Sequence, residues 1–568
     1  MNKYKHLLLW SSLGVLALLV ASAVQENFLK EWRRAQAAMR AGGAPIEVRL
    51  RQVVNPQLRT TDRCVSCHVG MAPGEHSLSG GPLAKPHPDV YHDPADFGCT
   101  VCHGGQGRAT DKDDAHGDVH FWPHPMIPRQ FADAGCGACH THLRVPNIGK
   151  LQLGARLVER NDCLACHRID GRGGTLRPGG AGGMEGPDLS RVGMAGYDRD
   201  WFAAHLAQHQ QATDGPWKDS FGPIAEADRL LIDEYLASRS GAPDLVEAKA
   251  LFHSLGCRGC HKVGGVGGND GPDLTLVGDK DPGRLDFTHV PGEPTLANWF
   301  AEHFRAPAKV VPGSQMPALA LTEDQITKLT RYMLSLRRSE FPESLWPQDR
   351  IRAQRFDERE FAADGATLYG TFCAACHGQS GEGLRYPGMT PFPAIANADF
   401  LAVASDEFLA QTIREGRPGR RMPAWSAVEG GLRPEEIDAI VGHLRRLAGD
   451  VTAEPPRHAS PRWIEADPEA GRRLYGRFCA GCHGAGGEGV NAPALNNPAL
   501  LAAASDDYLV ETIGRGRQGT DMLSFRQGSP VRPALAEEDI QSIVAFIRQW
   551  SPSPKTQPVA PSDEEPTP

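Results

Sequence analysis

Seven copies of the pattern Cys-x-x-Cys-His use every cysteine of this 568-residue chain. The cysteines are Cys64, Cys67, Cys99, Cys102, Cys136, Cys139, Cys163, Cys166, Cys257, Cys260, Cys373, Cys376, Cys479 and Cys482. The histidines that end the copies are His68, His103, His140, His167, His261, His377 and His483. This spacing is the attachment signature of c-type haem, in which the two thiols bind the porphyrin and the histidine binds the iron as proximal ligand. The sequence therefore predicts seven covalently bound haems c.

Other uses of paired cysteines explain less of this pattern. A zinc site needs two further ligands for each pair and has no need of a histidine directly after the second cysteine. A thioredoxin-like redox pair requires a βαβ context, which the surrounding sequence does not suggest. Structural disulfides would leave the adjacent histidines without a role. Haem attachment accounts for both the cysteines and the histidines.

The segments around the last four motifs repeat one another. Helices are predicted before the motifs at 151–160, 244–254, 362–372 and 468–478. Amphipathic closing helices are predicted at 226–239, 323–337, 434–447 and 537–550. With the Gly- and Pro-rich loops between them, these segments resemble four tandem class I cytochrome c domains.

Shared short sequences divide the four units into two pairs of siblings. In the first pair Gly-Pro-Asp-Leu occurs at 186–189 and 271–274, and Trp201 and His205 match Trp299 and His303. In the second pair 405–408 matches 505–508. Duplication within the chain explains this pairing.

The class I resemblance implies a methionine as the second axial ligand, in the loop before the closing helix. Such methionines are Met316, Met422 and Met522, which follow their proximal histidines by 55, 45 and 39 residues. Met/His ligation raises the reduction potential of a haem. The alternative is that these methionines fill gaps in the core.

The first of the four units departs from this pattern. The position aligned with Met316 is Lys218, and no methionine occurs between residues 195 and 241. Lys218 is one ligand candidate and would have to bind as a neutral amine, with its pKa depressed by burial and by the iron. His209 is a second candidate, and an open site is the third alternative. Each predicts a lower potential here than at the methionine-ligated haems.

The first three motifs lie close together in a segment rich in histidine. The other histidines there are His76, His87, His92, His116, His120, His124 and His142, which favours bis-His ligation and low potentials. Segments 62–64, 97–110 and 122–126 resemble multihaem cytochromes found with bc-type quinol-oxidising complexes in some bacteria. Within this resemblance His87, His92 and His116 are the main distal candidates, with His124 and Met126 in reserve. The sequence does not assign them to individual irons.

A long apolar stretch at residues 6–24 follows Lys3 and Lys5. Its length lies between a signal-peptide core and a membrane span, and Ala21-Ser22-Ala23 resembles a cleavage site. We favour an uncleaved anchor over a cleaved signal. The positive N-terminus then predicts that the rest of the chain lies outside the cytoplasm, in the periplasm of a cell whose inner membrane holds the anchor. The net charge of −9, to which haem propionates add, gives no indication of nucleic-acid binding.

The predicted fold class is mainly α with much irregular loop: an N-terminal transmembrane helix, a haem-organised trihaem segment and four class I cytochrome c domains. The predicted boundaries are an anchor 1–24, a stalk 25–54, a trihaem domain 55–148, cytochrome c domains 149–241, 242–340, 361–449 and 465–551, linkers 341–360 and 450–464, and a disordered tail 552–568.

These features predict an electron relay. Low-potential haems lie near the anchor in sequence and higher-potential haems lie far from it, so electrons are expected to enter near the membrane. The resemblance implies that a cytochrome b-type quinol oxidoreductase donates the electrons. The electrons are expected to pass to a soluble or membrane-bound acceptor, or to a terminal oxidase. The alternative is a redox enzyme with an open or Lys-ligated haem at Cys163–His167. A third class, an electron store or filament subunit, is opposed by the anchor.

Overall fold

The computed structural model describes residues 2–72, 81–88, 90–119, 122–143, 145–174, 186–195, 197, 199–210, 222–338 and 341–551. The chain divides into two compact units. Unit 1 comprises residues 1–251 and 274–361, and unit 2 comprises residues 252–273 and 362–568. Both consist of helices joined by irregular loops, and their strands are short antiparallel hairpins. The predicted fold class, mainly helical with much loop, is confirmed.

Unit 1 begins with a long apolar helix, as the sequence predicts. Helix α1 (Asn2–Phe28) contains a 26-residue span with a mean hydropathy of 2.3, none of which is buried inside the protein. Its length and composition suit a membrane span. Helix α2 (Glu31–Ala41) follows directly and is amphipathic, with Trp32 and Gln36 buried.

The trihaem segment has little regular structure. It contains one hairpin, β1 (Val53–Asn55) with β2 (Thr60–Asp62), and three short helices, α3 (Pro94–Phe97), α4 (Thr100–His103) and α5 (Lys112–His116). Short 3₁₀ helices carry the first and third motifs. Buried apolar residues here form two small clusters, one around Val69 and one around Val65. That haem organises the segment stays a prediction.

The remaining helices of unit 1 belong to the first two predicted cytochrome c domains and the segment after them. They are α6 (Ile148–Arg160), α7 (Arg199–Gln210), α8 (Glu226–Ser238), α9 (Pro243–Ser254, which ends in unit 2), α10 (Leu296–Arg305), α11 (Pro307–Val310), α12 (Glu323–Ser335) and α13 (Gln348–Phe356). Hairpin β3 (Arg168–Ile169) with β4 (Arg172–Gly173) follows the fourth motif.

Unit 2 contains the last three motifs. Its first hairpin is β5 (Lys262–Val263) with β6 (Val266–Gly267). Its helices are α14 (Gly365–Phe372), α15 (Ala374–His377), α16 (Ala398–Val403), α17 (Asp406–Glu415), α18 (Pro434–Leu447), α19 (Pro468–Phe478), α20 (Ala480–His483), α21 (Pro498–Ala503), α22 (Asp506–Arg515) and α23 (Glu537–Arg548).

In three of the domains the helix before the motif crosses the closing helix at a glycine. The pairs are α6 with α8, α14 with α18, and α19 with α23. A Cβ at Gly365 would stand 2.1 Å from the Ala439 carbonyl oxygen, and one at Gly471 would stand 1.8 Å from that of Ser542. Gly154 meets Leu231 in the same way. These glycines let the two backbones touch, which fixes the crossing point.

Side-chain caps define where the helices before the motifs begin. Asn147 accepts a hydrogen bond from the Gly149 N–H at the start of α6. Asp364 accepts a hydrogen bond from the Thr367 N–H at the start of α14. Asp467 accepts one from the Glu469 N–H at the start of α19. These caps satisfy backbone donors that the first helical turn leaves unpaired.

Three closing helices, α8, α12 and α23, end before the predicted boundary, and loop contacts explain two of these ends. The predicted helix 323–337 stops at Ser335, because the Leu336 carbonyl accepts a hydrogen bond of 2.9 Å from the Gly278 N–H. The sibling helix stops at Ser238, and the Arg239 carbonyl accepts the equivalent 2.9 Å bond from Gly193. A loop after the motif thus ties down the end of the closing helix.

Within unit 2 the last two domains pack about an approximate two-fold relationship. Helix α16 contacts α22, and α17 contacts α21. Asn397 Nδ2 donates to the Gln518 carbonyl at 2.7 Å, and Asn497 Nδ2 donates to the Pro418 carbonyl at 2.9 Å. These four residues are sibling positions, so each domain makes the same contact with the other. The segment 450–464 also packs here, with the Glu454 N–H donating to the Ala402 carbonyl at 2.8 Å.

Candidate functional site

The first motif is held by helix α2. Gln36, fully buried, donates from Nε2 to the Ser66 carbonyl at 2.7 Å and to the Arg49 carbonyl at 2.9 Å. Ser66 Oγ in turn accepts from the Arg51 N–H at 2.9 Å. The motif is therefore attached to the helix that directly follows the apolar helix α1. The sequence analysis did not identify Gln36, because a glutamine in an amphipathic helix gives no signal of its buried partners.

Asp62, two residues before the first motif, shapes the second. Its buried carboxylate accepts hydrogen bonds from the backbone N–H groups of Cys99 and Thr100 and from Thr100 Oγ1. Asp62 thereby caps helix α4, which carries the second motif. A Cβ on Gly107 would stand 1.8 Å from Asp62 Oδ1, so the loop beyond the motif also needs a glycine here.

The three motifs of the trihaem segment contact one another in chain order. The first motif meets the second through Asp62, whose carboxylate accepts from the backbone N–H groups of Cys99 and Thr100. A Cβ on Gly135, just before the third motif, would lie 1.8 Å from the Cys102 carbonyl oxygen. Inside the third motif, a Cβ on Gly137 would lie 2.5 Å from the Ser335 carbonyl oxygen at the end of α12. Motifs one, two and three thus form a continuous row in unit 1.

Two of the predicted distal histidines face proximal histidines. The ring centroids of His87 and His103 are 6.1 Å apart, with an interplanar angle of 58°. The ring centroids of His92 and His140 are also 6.1 Å apart, with an interplanar angle of 35°. His116 ends helix α5 and is near enough to His68 to lower its pKa, although burial of His68 is the larger cause.

The other histidines of this segment have different surroundings. The backbone carbonyl of His124 accepts a hydrogen bond from the Gly105 N–H. The side chain of His142 contacts Thr141 Oγ1 through Nδ1. His76 and His120 lie outside the described residues. The reserve candidate Met126 donates its backbone N–H to the His116 carbonyl at 2.8 Å.

All four proximal histidines of the cytochrome c domains share one contact. Their Nδ1 atoms lie 2.8 to 2.9 Å from a proline carbonyl oxygen, in the pairs His167–Pro187, His261–Pro272, His377–Pro393 and His483–Pro493. A hydrogen bond from Nδ1–H fixes the tautomer, so that Nε2 is left to bind iron. Burial lowers the pKa of His261, His377 and His483, which favours the neutral ligand.

The Gly-Pro-Asp-Leu sequences of the sibling domains have a role that the sequence analysis did not assign. A Cβ on Gly186 would stand 2.4 Å from the His167 ring, and one on Gly271 would stand 2.4 Å from the His261 ring. The glycine lets the loop pass over the ring, and the proline carbonyl then accepts its Nδ1–H. The repeated tetrapeptide carried the signal, but only the fold identifies its partner.

The predicted methionine ligands lie in matched loops before the closing helices. The Arg417 N–H donates to the Met422 carbonyl at 2.8 Å, and the sibling Arg517 N–H donates to the Met522 carbonyl at 2.6 Å. Met316 donates its N–H to Ser314 Oγ at 3.2 Å. Each side chain is half-buried.

In the first cytochrome c domain, Lys218 lies outside the described residues, and so does the side chain of His209. His205 stacks on Trp201 with ring centroids 5.0 Å apart and an interplanar angle of 7°. Its sibling His303 stacks on Trp299 with the same values. This agreement supports the alignment that places Lys218 opposite Met316.

The fifth and sixth motifs meet within unit 2. A Cβ on Gly256, just before the fifth motif, would stand 2.7 Å from the Ala375 nitrogen inside the sixth motif. Arg421, the residue before Met422, donates from Nε to Asp270 at 2.7 Å. Two attachment sites therefore share one contact region.

These residues fit haem c. The fourteen cysteines form no disulfide, and all except the exposed Cys482 are half-buried. Six of the seven proximal histidines contact a proline carbonyl or face a second histidine ring. Buried Nδ1 atoms of His68 and His140 have no hydrogen-bond partner, although His140 Nδ1 is 3.5 Å from Asp349. Thiols and imidazoles are the groups through which haem c is attached and ligated.

Comparison with known proteins gives the same class for much of the chain. Residues 245–337 and 468–551 match the family cytochrome c, and residues 360–444 match the family cytochrome c oxidase, cbb3-type, subunit III. The chain is 32% identical over 166 residues to the cbb3-type cytochrome c oxidase subunit FixP of Bradyrhizobium sp. (strain ORS 278), covering 28% of this chain and 52% of that protein. It is 27% identical over 195 residues to the cbb3-type cytochrome c oxidase subunit CcoP of Rhodobacter capsulatus, and this match covers 32% of this chain and 60% of that protein. It thus spans a little over half the length of these relatives.

Among solved structures, the thiosulfate dehydrogenase TsdBA of Marichromatium purpuratum is similar at 17% identity and a TM-score of 0.17, covering 70% of this chain and 90% of that one. A reducing HAO-like protein complex of Kuenenia stuttgartiensis has 19% identity and a TM-score of 0.23, and the match covers 33% of this chain and 96% of that one.

The motifs, the proline-held histidines and the matched families define domains of the c-type cytochromes. The chain therefore contains cytochrome c domains, and these are related to the corresponding domains of cbb3-type oxidase subunits.

Proposed function

We propose that this protein carries seven haems c and relays electrons on the outer side of a membrane, from a bc-type quinol-oxidising complex to a soluble acceptor or a terminal oxidase. Haem, when bound, supplies reversible one-electron chemistry at each site. The observation that carries the proposal is the contact between successive attachment motifs: first with second through Asp62, second with third at Gly135, and fifth with sixth at Gly256.

The polypeptide supports the relay by fixing these motifs against one another. Asp62 joins the first motif to the second, and the approach of Gly135 to Cys102 joins the second to the third. In unit 2 the reciprocal contacts of Asn397 and Asn497 join the last two domains. An electron relay needs short and reproducible distances between its haems. Buried hydrogen bonds and backbone contacts fix such distances better than long flexible linkers do.

The position of Gln36 supports entry of electrons near the membrane. Helix α2 begins three residues after α1 ends, and Gln36 on α2 holds the first motif at Ser66. Lys30 also contacts Asp111 at 2.6 Å, next to helix α5. With α1 as an uncleaved anchor, these contacts keep the first motif close to the bilayer. A mature N-terminus at Val24 would contradict the anchor, and mass spectrometry of the protein from membranes tests it.

Met316, Met422 and Met522 are proposed as distal ligands that raise the potentials of the last three haems. Replacing each by histidine is expected to lower the potential of one haem, because imidazole stabilises Fe(III) more than a thioether does. The control is Met333→Leu, since Met333 is buried in α12 and serves the core. A potential unchanged in one of the three variants would remove that methionine from the ligand set.

The donor and acceptor are tested by capture from membranes. The tagged full chain is purified in mild detergent, and the proteins that accompany it are identified. Recovery of a cytochrome b-type quinol oxidoreductase, together with haem reduction by added quinol, supports the proposal. A redox titration in which the trihaem haems are more oxidising than the methionine-ligated ones would overturn the outward direction.

A further inference from the structure

The trihaem segment contains two pairs of histidine rings held at one separation. His87 with His103 and His92 with His140 each have centroids 6.1 Å apart. Each pair joins the histidine of an attachment motif to a histidine from the loop between the first and second motifs. The two pairs are independent observations, since they involve four different residues.

This separation fits two axial ligands of one iron. With a metal–imidazole bond of about 2 Å and a ring nitrogen roughly 1 Å from its centroid, two rings on opposite sides of a metal have centroids about 6 Å apart. The angle between such rings is free, because each can rotate about its bond to the metal. The different interplanar angles of 58° and 35° are therefore compatible with one arrangement.

Rings that merely pack against each other also have centroids about 4.5–7 Å apart. The distance therefore does not by itself distinguish shared iron ligation from ring packing. The tautomer of His87 adds a second argument. His87 Nδ1 lies 2.7 Å from the Pro88 carbonyl oxygen, which only a protonated Nδ1 can satisfy. This bond leaves Nε2 as the lone-pair donor, as the proline carbonyls do for the four proximal histidines of the cytochrome c domains.

We propose that His87 is the distal ligand of the iron at His103 and that His92 is the distal ligand of the iron at His140. His116 then serves the iron at His68. This inference rests on haem attachment at the three motifs, and it adds the pairing that the sequence leaves open.

The position of His116 agrees with the third pair. Helix α5, which ends at His116, is tied to helix α2 through the Lys112 N–H, which donates to Glu31 at 2.7 Å. Helix α2 also holds the first motif through Gln36 and Ser66. Both contacts bring His116 to the side of the segment where His68 lies.

The ligands are interlaced along the chain. The loop between the first and second motifs supplies ligands to the second and third irons, and the segment after the second motif supplies the ligand of the first. The three sites therefore form one cooperative unit, in which no motif is complete without residues from another part of the segment. His92 is the clearest case. It precedes the second motif in sequence, yet the iron that it is proposed to bind is that of the third motif, at His140.

The direct test is a cryo-electron microscopy structure of the haem-loaded full chain from membranes. The expected result is Nε2 of His87 and His103 on one iron, and Nε2 of His92 and His140 on another. The pairing is overturned if His92 is bound to the iron of His103, or if either histidine binds no iron. This outcome is separate from the relay proposal, because ligands can be assigned whatever the donor and acceptor are.

Variants give a second test that does not require a structure. His87→Met and His92→Met are each expected to convert one bis-His haem to His/Met, seen by near-infrared magnetic circular dichroism and as one haem of raised potential. His142→Gln is the matched control. With the third attachment site removed by Cys136→Ala and Cys139→Ala, His92→Met should lose its spectral effect, whereas His87→Met should keep it. Equal effects of both in that background would contradict the pairing.

Discussion

Asp62 and Thr100 are joined by two hydrogen bonds of 2.8 Å, one from the Thr100 N–H to Oδ2 and one from Thr100 Oγ1 to Oδ1. The first residue stands beside the first motif and the second lies inside the second motif. One buried carboxylate therefore fixes two attachment sites relative to each other.

Asp62→Ala is expected to destabilise the trihaem segment by about 2–4 kcal/mol, because three half-buried donors lose their acceptor. The measurement is the melting temperature followed by Soret dichroism of the low-potential haems. Asp118→Ala is the control, since Asp118 is exposed in the same segment. Equal melting temperatures for the two variants would show that Asp62 does not hold the motifs.

Asp349→Asn is expected to raise the potential of the haem at His140. The carboxylate lies 3.5 Å from His140 Nδ1, where its charge makes the imidazole a stronger donor and stabilises Fe(III). The cytochrome c domains have a neutral proline carbonyl in this place. Glu358→Gln, on the same exposed segment, is the control, and potentiometric titration is the measurement. A potential that falls or does not change would be inconsistent with this role.

The paired change Asn397→Asp with Asn497→Asp is expected to loosen the contact between the last two domains. Aspartate keeps the side-chain oxygen that caps helices α16 and α21 but loses the amide that donates to the other domain. Each lost bond should cost about 1 kcal/mol. Hydrogen exchange around residues 418 and 518 measures the loosening.

Asn496→Asp is the matched control for this pair, because Asn496 Nδ2 donates at 2.9 Å to the Gly486 carbonyl inside its own domain. Increased exchange at the amides flanking Pro418 and Gln518 in the control, or none in the double variant, would refute the reciprocal contact.

The last domain should lose stability in acid through Glu511. Burial alone would raise the pKa of Glu511, but hydrogen bonds from Arg526 and Arg515 and the charge of Arg457 lower it from 4.5 to about 2. Because the pKa is depressed in the folded state, the stabilisation is present above about pH 4.5 and is lost as the pH falls toward 2. The full effect is about 3 kcal/mol.

Hydrogen exchange of α22 in the full chain, compared between native protein and Glu511→Gln at each pH, measures this loss. The native protein should be better protected at pH 7 and should approach the variant as the pH falls. Glu538→Gln, at an exposed position of α23, is the control. A constant difference between native and variant protein from pH 7 to pH 3 would contradict the assignment.

The sequence predicted the helices of the cytochrome c domains closely, because each follows from the attachment motif and from amphipathic periodicity. The predicted helices 468–478 and 434–447 coincide with α19 and α18. The errors at Ser335 and Ser238 arise from bonds made by Gly278 and Gly193, which no local pattern shows.

Contacts between distant segments were beyond sequence reasoning for the same reason. The histidine density predicted bis-His ligation, and the family resemblance implied His87, His92 and His116 as ligands, but their partners depend on how a loop folds back. Gln36 and Asp62 resemble ordinary polar residues until their buried partners are known. The match of 405–408 with 505–508 identified the last two units as siblings, yet only the fold shows that Asn397 and Asn497 bond each other's domain.

If every Cys-x-x-Cys-His motif carries a covalent haem, the mature protein purified from membranes should have an intact mass equal to the polypeptide plus seven haems. No cysteine should then react with a thiol reagent. A mass with fewer haems, or cysteines that react as free thiols, would contradict haem attachment at every motif.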